Sequence, residues 1–203
     1  MEVINNIYKI CGIDPGTNHL GISLLSINID NLEIETIDII TFNPILDKTD
    51  GTIRLNYDEI TEKIISQKRQ LFNWLCNNKP HIVCCESPFF NRLRPSAFGP
   101  LCETLFAIKI SVMEYNNFTP FKLYSPSVVK NALGISTGRP KKDEVKVNAK
   151  QLIKKRLFQI KELTSKVTVE YNVDSFDAMA VAYTHLLLIR NNSHNKLKNY
   201  SHI

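Results

Sequence analysis

Four carboxylates stand where a folded chain could bring them together. Asp14 ends the apolar run 10–13 and is followed at once by Pro15 and Gly16. Pro fixes φ and Gly tolerates positive φ, so this pair predicts that a strand ends at Asp14. Glu86 ends the apolar run 82–85 in a similar way. Because an unpaired buried carboxylate costs several kcal/mol, each strand-end acid needs a partner or an ion.

The other two carboxylates, Asp174 and Asp177, open the last predicted helix. Residues three apart share a helix face, so both side chains can point at one place. Four carboxylates suit a hard cation such as Mg²⁺, with Mn²⁺ as a plausible substitute. Two such ions about 4 Å apart support phosphodiester cleavage, one activating water and the other stabilising the leaving oxygen.

Each acid also has a simpler interpretation. Asp14 with Pro15 could form only a turn, and Glu86 could pair with a nearby Arg or Lys. Asp174 could be an N-cap and Asp177 a favourable charge in the first helical turn. The prediction of a metal site would be wrong only if all four simpler interpretations were correct at once.

The hydrophobic pattern predicts an α/β fold. Strands are expected at 8–14, 19–29, 32–42, 81–86 and 118–124, and helices at 57–77, 101–115, 125–133, 142–157 and 174–191. The helix at 101–115 is apolar on most sides and is expected to be buried. Three antiparallel strands followed by alternating helices and strands predict a five-stranded mixed sheet flanked by helices.

Composition sets the broad class of the protein. The 203 residues allow one domain, expected over 1–190, with a polar tail at 191–203 that is expected to fray. The net charge of +5 permits a polyanionic partner. Five cysteines without metal-ligand spacing indicate reduced thiols and a cytoplasmic protein. No secretory signal and no membrane-spanning run are expected.

The chain resembles the RuvC family of Holliday-junction resolvases, within the RNase H-like nuclease superfamily. The matching motifs come in the family's order and end in the specific pattern Asp-x-x-Asp-Ala-x-Ala-x-Ala. They occupy residues 11–17 with Gly21, 82–89, 128–130 with 134–135, 142–145 and 173–182. Segments 28–56 and 157–170 depart from the family pattern, so its cleavage-sequence preference is not carried over.

The resemblance implies an RNase H-like fold and a structure-selective endodeoxyribonuclease. It implies paired symmetric nicks in four-way (Holliday) junctions, made by a homodimer that uses two metal ions per site. Asp14, Glu86, Asp174 and Asp177 match the family's four metal-binding catalytic acids. Lys130 and Lys142 match its lysines near the scissile phosphate, and Phe89 matches the aromatic that probes base stacking. The resemblance fits cellular members of the family as well as viral and phage members. If the protein is viral or from a phage, the expected compartment is the cytoplasm of the host cell.

A basic segment lies between residues 130 and 161. It carries ten Lys and Arg against Asp143 and Glu144, a local charge of +8 that exceeds the +5 of the whole chain. A solvated charged face is the alternative, but the single sign of the charge beside a predicted phosphodiester site favours phosphate contact. Lys142 could also stabilise charge on the cleaved phosphate. The predicted contacts here are Lys130, Arg139, Lys141, Lys142, Lys146 and Lys150, and Lys154 continues the every-fourth-residue stripe.

The loop after the Glu86 strand mixes aromatic and basic residues. Phe89 can stack on exposed bases, and Arg92 and Arg94 can hold phosphates. Phe90 is expected to pack in the core instead.

Three other functions remain open. The same chemistry could act on flap or other branched DNA. An actin-like ATPase or sugar kinase shares the fold, but such chains have a second glycine-rich phosphate loop, and this one has seven glycines in total. A catalytically idle DNA-binding module would not require four converging carboxylates.

Overall fold

The computed structural model describes residues 6–46, 56–90, 92, 95–135, 149–164 and 173–196, although the side chains of 149, 150, 173, 174 and 193–196 are not among those described. The strands are β1 (Ile7–Asp14), β2 (Leu20–Asn28), β3 (Ile34–Phe42), β4 (Ile82–Glu86) and β5 (Phe121–Tyr124). The helices are α1 (Glu59–Asn78), α2 (Phe98–Tyr115), α3 (Pro126–Ala132), α4 (Ala149–Gln159), α5 (Lys161–Thr164) and α6 (Val173–Lys196), and a 3₁₀ turn at Pro95–Ala97 leads into α2.

The five strands form one mixed sheet, as the sequence predicts, and their order in the sheet is β3-β2-β1-β4-β5. β1, β2 and β3 pair antiparallel. β4 joins β1 in parallel, and β5 joins β4 in parallel. β1 therefore lies at the centre of the sheet, which accounts for its buried, unbroken apolar run.

Each face of the sheet is covered by different helices. Ile10 and Cys84 face α6, with which they form one core cluster. Ile13 and Cys85 point the other way, into a second cluster beneath α1 and α2. Because side chains alternate along a strand, this division fixes the face on which each strand-end side chain lies.

The ends of α1 are set by local capping. The Asp58 side chain accepts a hydrogen bond from the Thr61 amide at 2.7 Å, and Lys79 closes the helix in the left-handed region at φ 50°. This arrangement satisfies backbone groups that the helix itself leaves unpaired. The predicted helix at 57–77 is confirmed within two residues at each end.

Helix α2 forms as predicted but is not the buried helix that the sequence suggests. One face packs on α1, while the outer face leaves Phe106 65% and Met113 61% exposed. The stretch Pro95–Tyr115 is also long and apolar enough to cross a membrane, with 22% of its most apolar part buried, contrary to the expectation that no run qualifies. Length and composition alone are weak evidence, and here the helix connects β4 to β5 and covers the sheet.

The C-terminal helices are joined by an ion pair. Glu162 on α5 accepts hydrogen bonds from the Tyr183 hydroxyl and from both terminal nitrogens of Arg190, the latter at 2.8 Å. Arg190 also donates to the Leu32 carbonyl in the β2–β3 turn. These bonds hold α5 and the far end of α6 to the sheet. α6 runs on to Lys196, past the predicted end at 191.

Candidate active site

Asp14 and Glu86 end two neighbouring parallel strands. β1 and β4 are in register up to Ile13 and Cys85, so one further residue on each strand brings Asp14 beside Glu86. Adjacent strands lie about 4.8 Å apart. By alternation from Ile10 and Cys84, both carboxylates lie on the α6 face of the sheet. The predicted juxtaposition of strand-end acids is therefore present, and both residues are partly exposed.

Gly12 lets α6 lie directly on β1. A Cβ at this position would lie 2.1 Å from the Ala178 carbonyl oxygen and 2.8 Å from the Ala182 Cβ. Ser23, on the neighbouring strand, donates to the same carbonyl at 3.0 Å. A larger residue would force the helix away, so this glycine sets the height of α6 above the central strand.

The N-terminal turn of α6 lies at the same end of the sheet as Asp14. Ala178 is above Gly12, two residues before the end of β1, whereas Arg190 reaches the β2–β3 turn at the opposite end. Asp177 directly precedes Ala178 and is 8% exposed. Asp174 is in the first turn of the helix, but its side chain lies outside those described.

This end of the sheet carries a negative potential. Cys85 lies beside both strand ends, and its pKa is raised well above 9 by burial and by the neighbouring Asp14, Cys11 and Glu86. A thiol with such a pKa is inert as a nucleophile. The negative field instead favours cations at the strand ends.

The donors fit a hard cation. Asp14, Glu86 and Asp177 supply only carboxylate oxygens, which are the ligands that Mg²⁺ prefers. Among the side chains that the structure describes, no three His, Cys, Asp or Glu residues form a group that could hold a metal ion. Asp174 lies one helical turn before Asp177 on α6, and its side chain is not among those described. Convergence of all four carboxyl groups stays a prediction.

A tyrosine–histidine pair beside Glu86 was not found from the sequence. Tyr124 is in register with Glu86, and its hydroxyl lies 2.5 Å from Nδ1 of His185 on α6. Burial and then the charge of Lys122 lower the pKa of His185 to about 4, while burial raises that of Tyr124. The neutral imidazole therefore accepts a hydrogen bond from the Tyr124 hydroxyl. The partners are 61 residues apart, so no local pattern predicts them.

The predicted aromatic loop is on the surface. Phe89 is 53% exposed and Arg92 is exposed, so both side chains lie on the surface. Phe90 is 60% exposed, so its predicted place in the core is wrong. Its ring instead meets the ring of Phe98, the first residue of α2, edge-on at 5.8 Å between centroids. Arg94 lies outside the described residues.

The basic segment is only partly described. Lys130 is half-buried in the last turn of α3. Four predicted contacts, Arg139, Lys141, Lys142 and Lys146, lie outside the described residues, as does the side chain of Lys150.

Two basic residues of the segment make contacts within the protein. The Lys154 ammonium lies 5.2 Å from the centre of the Phe176 ring, next to Asp177 on α6. Arg156 donates to the Leu133 carbonyl at 2.8 Å. Lys154 therefore packs on aromatic surface and anchors α4 to the N-terminal turn of α6, instead of presenting a free charge to phosphate as the stripe suggests.

Comparison with known proteins identifies the family. The family described as crossover junction endodeoxyribonuclease RuvC matches residues 10–185. RuvC of Helicobacter pylori (strain Shi470) is 27% identical over 177 residues, which cover 87% of this chain and 95% of the relative. RuvC of Aliarcobacter butzleri is 27% identical over 178 residues, covering 87% and 97%.

Solved structures show the same fold. T. thermophilus RuvC in complex with a Holliday junction substrate matches with a TM-score of 0.62 and 18% identity, over 91% of this chain and 97% of that one. The yeast mitochondrial Holliday junction resolvase matches with a TM-score of 0.58 and 15% identity, over 98% and 87%. The predicted RNase H-like fold is thereby confirmed. The family match spans the strand ends, the loop after Glu86 and the first half of α6, and the chain belongs to the RuvC family of crossover junction endodeoxyribonucleases.

Proposed function

We propose that this protein is a Mg²⁺-dependent endodeoxyribonuclease that resolves four-way DNA junctions by paired symmetric nicks. The observation that carries the proposal is the position of Asp14 and Glu86. They end adjacent strands beneath the N-terminal turn of α6, which bears Asp174 and Asp177. Nothing in DNA binding alone requires carboxylates at such a place, since they repel the phosphate backbone.

In this proposal the four acids hold two Mg²⁺ ions, with Mn²⁺ as a substitute. When bound, such ions supply an activated water and neutralise charge on the leaving oxygen. The protein contributes the positions of the ligands. Asp14 and Glu86 are fixed by the sheet, and Asp177 by the close contact of α6 with Gly12. Asp14, on the central strand, would be one of the residues that hold the ions.

The basic residues hold the DNA and its cleaved phosphate. Lys142 and Lys130 are proposed to lie near the scissile phosphate, where a positive charge stabilises the developing negative charge. The remaining proposed phosphate contacts are Arg92, Arg94, Arg139, Lys141, Lys146 and Lys150. Phe89 is proposed to stack on bases at the centre of the junction, and its exposure supports this role.

The active form is proposed to be a homodimer joined through the outer face of α2. Cys102, Phe106 and Met113 are exposed there and are four and seven residues apart, so they lie on one side of the helix. An apolar stripe of this kind can pack against its own copy about a two-fold axis. Two copies related in this way would present two sites to opposing strands, which is what paired symmetric nicks require.

The free cysteines and the extent of α6 bear on the compartment and on the domain organisation. All five cysteines are free thiols, which suits the reducing interior of a cell, either the protein's own or a host's. We propose one nuclease domain over 1–190, followed by a polar tail at 191–203, although α6 carries the first residues of that tail as helix.

Cleavage of other branched DNA is the second candidate function, because the same carboxylate site would serve it. A panel of synthetic four-way, three-way, flap and linear DNA with Mg²⁺ distinguishes the two. We expect symmetric paired nicks in the four-way substrate alone. Preferential cutting of flaps would replace junction resolution with the second function. Nucleotide binding without nuclease activity would favour the actin-like ATPase or sugar-kinase alternative.

A further inference from the structure

Gln67 is a polar residue within the apolar stripe of α1. It lies between Ile64 and Leu71, on the side of the helix that packs into the core, and is 2% exposed. Burying an amide is costly unless it is hydrogen-bonded, so an apolar residue would serve packing better at this position. The reason for the amide must be sought in its partner.

That partner is the turn that follows Asp14. Nε2 of Gln67 donates to the carbonyl oxygen of Gly16 at 3.0 Å. The opposite orientation of the amide would place one oxygen against another, so donation to Gly16 is the chemically consistent assignment. Gly16 is itself tightly placed, since a Cβ there would lie 2.4 Å from the His19 carbonyl oxygen.

Two further details indicate that the Gln67 bond is specific. Oε1 of Gln67 has no hydrogen-bond partner among the described residues, so within them this buried amide is bonded through its donor alone. Lys63, one turn earlier on α1, donates to the Asn18 side chain at 3.1 Å, but this contact is exposed and constrains the turn less. Gln67 is therefore the buried attachment of the turn to α1.

We infer that Gln67 is a positioning residue for Asp14. By fixing Gly16, two residues beyond the carboxylate, it holds the end of β1 in place against the N-terminal turn of α6. This inference rests on the proposed role of Asp14 as a metal ligand. A small displacement of a reacting group can lower a rate about a hundredfold.

Two variants of Gln67 and one matched control test the inference. Gln67→Leu and Gln67→Met both remove the donor, and Met keeps the length and flexibility of the side chain if Leu folds poorly. Gln70→Leu is the control, because Gln70 is on the same helix and donates to the Asn43 carbonyl at 2.9 Å, in the loop after β3. All rates are normalised to the fraction of protein that binds junction DNA.

We expect kcat for Mg²⁺-dependent junction cleavage to fall by about ten- to a hundredfold in both Gln67 variants while KM stays unchanged. Calorimetric titration without DNA should show weaker Mn²⁺ binding, and backbone amides at 16–19 should exchange hydrogen faster. Gln70→Leu should leave all three unchanged.

The inference would be overturned if Gln67→Met left kcat, Mn²⁺ affinity and amide hydrogen exchange at 16–19 unchanged. It would also be overturned if Gln70→Leu changed these three quantities as much as the Gln67 variants do. Failure of the proposed function has a different signature. In that case Asp14→Asn would still cleave junctions, whereas failure of this inference leaves Asp14→Asn inactive and the Gln67 variants like the control.

Discussion

The contact between α6 and the central strand makes Gly12→Ala the most informative single substitution. The new Cβ would lie 2.1 Å from the Ala178 carbonyl oxygen and 2.7 Å from the Ser23 hydroxyl. Ordinary van der Waals contact begins at 3.4 Å. The helix must therefore lift by about 1 Å, because a backbone carbonyl cannot rotate away within a helix.

The expected loss of stability follows from two contributions. Overpacking a core costs about 1–3 kcal/mol. Lifting α6 also breaks or weakens the hydrogen bond from Ser23 to Ala178, which contributes about 1 kcal/mol. We therefore expect Gly12→Ala to lower the free energy of unfolding by about 2–4 kcal/mol. Because Asp177 adjoins Ala178, the same movement should slow junction cleavage by about a hundredfold.

Urea unfolding and single-turnover cleavage of a synthetic four-way junction measure the two effects. Gly99→Ala is the matched control, since a Cβ at Gly99 meets nothing within 4 Å and alanine favours helix. The control should be as stable and active as the unmodified protein. A Gly12→Ala variant with unchanged stability and cleavage rate would refute the close approach of α6 to β1.

Two further predictions concern the Glu162–Arg190 ion pair and the outer face of α2. The pKa of Glu162 is lowered, and the largest cause is its hydrogen bonds from Arg190. The ionised carboxylate therefore stabilises the folded protein above the unfolded-state pKa of about 4.5. This stabilisation is lost as the pH falls through the pKa that Glu162 has in the folded protein. Glu162→Gln should therefore reduce the free energy of unfolding by about 1 kcal/mol at neutral pH and by less near pH 3, and a urea-unfolding difference that does not shrink in acid would contradict this. Phe106→Glu should weaken the proposed dimer at least tenfold by light scattering, whereas Phe118→Glu, at a residue 87% exposed outside α2, should not, and equal oligomeric states in both variants would refute the proposed interface.

The strand-end acids could be predicted because their signals are local. A buried central strand has a short apolar run, and a carboxylate followed by Pro15 and Gly16 marks its end unambiguously. The order of strands and helices then predicts which strands are parallel, and parallel strands end at the same edge. Asp14 and Glu86 come together for these reasons. Asp174 and Asp177 were predicted from their spacing of three at the start of the last predicted helix, and the family motif matches them as well.

The supporting contacts could not be predicted because they join distant parts of the chain. Tyr124 meets His185, and Gln67 meets Gly16, across 61 and 51 residues. One signal was available, namely that Gln67 interrupts an apolar helical stripe, which indicates a buried hydrogen bond but does not name its partner.

Local sequence patterns also could not predict which apolar side chains are exposed. Apolar residues on all sides of α2 predict burial, yet composition alone does not show which side meets the protein's own core and which is left outside. Phe90 was assigned to the core for the same reason. In the basic helix α4, charge alone gave no indication that Lys154 would pack on Phe176.

The central claim is that the carboxylate of Asp14 takes part in metal-dependent cleavage. Asp14→Asn removes the charge while keeping the shape, so it tests this claim most directly. Binding of a synthetic four-way junction and its cleavage with Mg²⁺ are measured on the same preparation. We predict unchanged junction binding and a cleavage rate at least about a thousandfold lower, since metal coordination supplies several kcal/mol of transition-state stabilisation. A variant that binds and still cuts at a comparable rate would contradict the account.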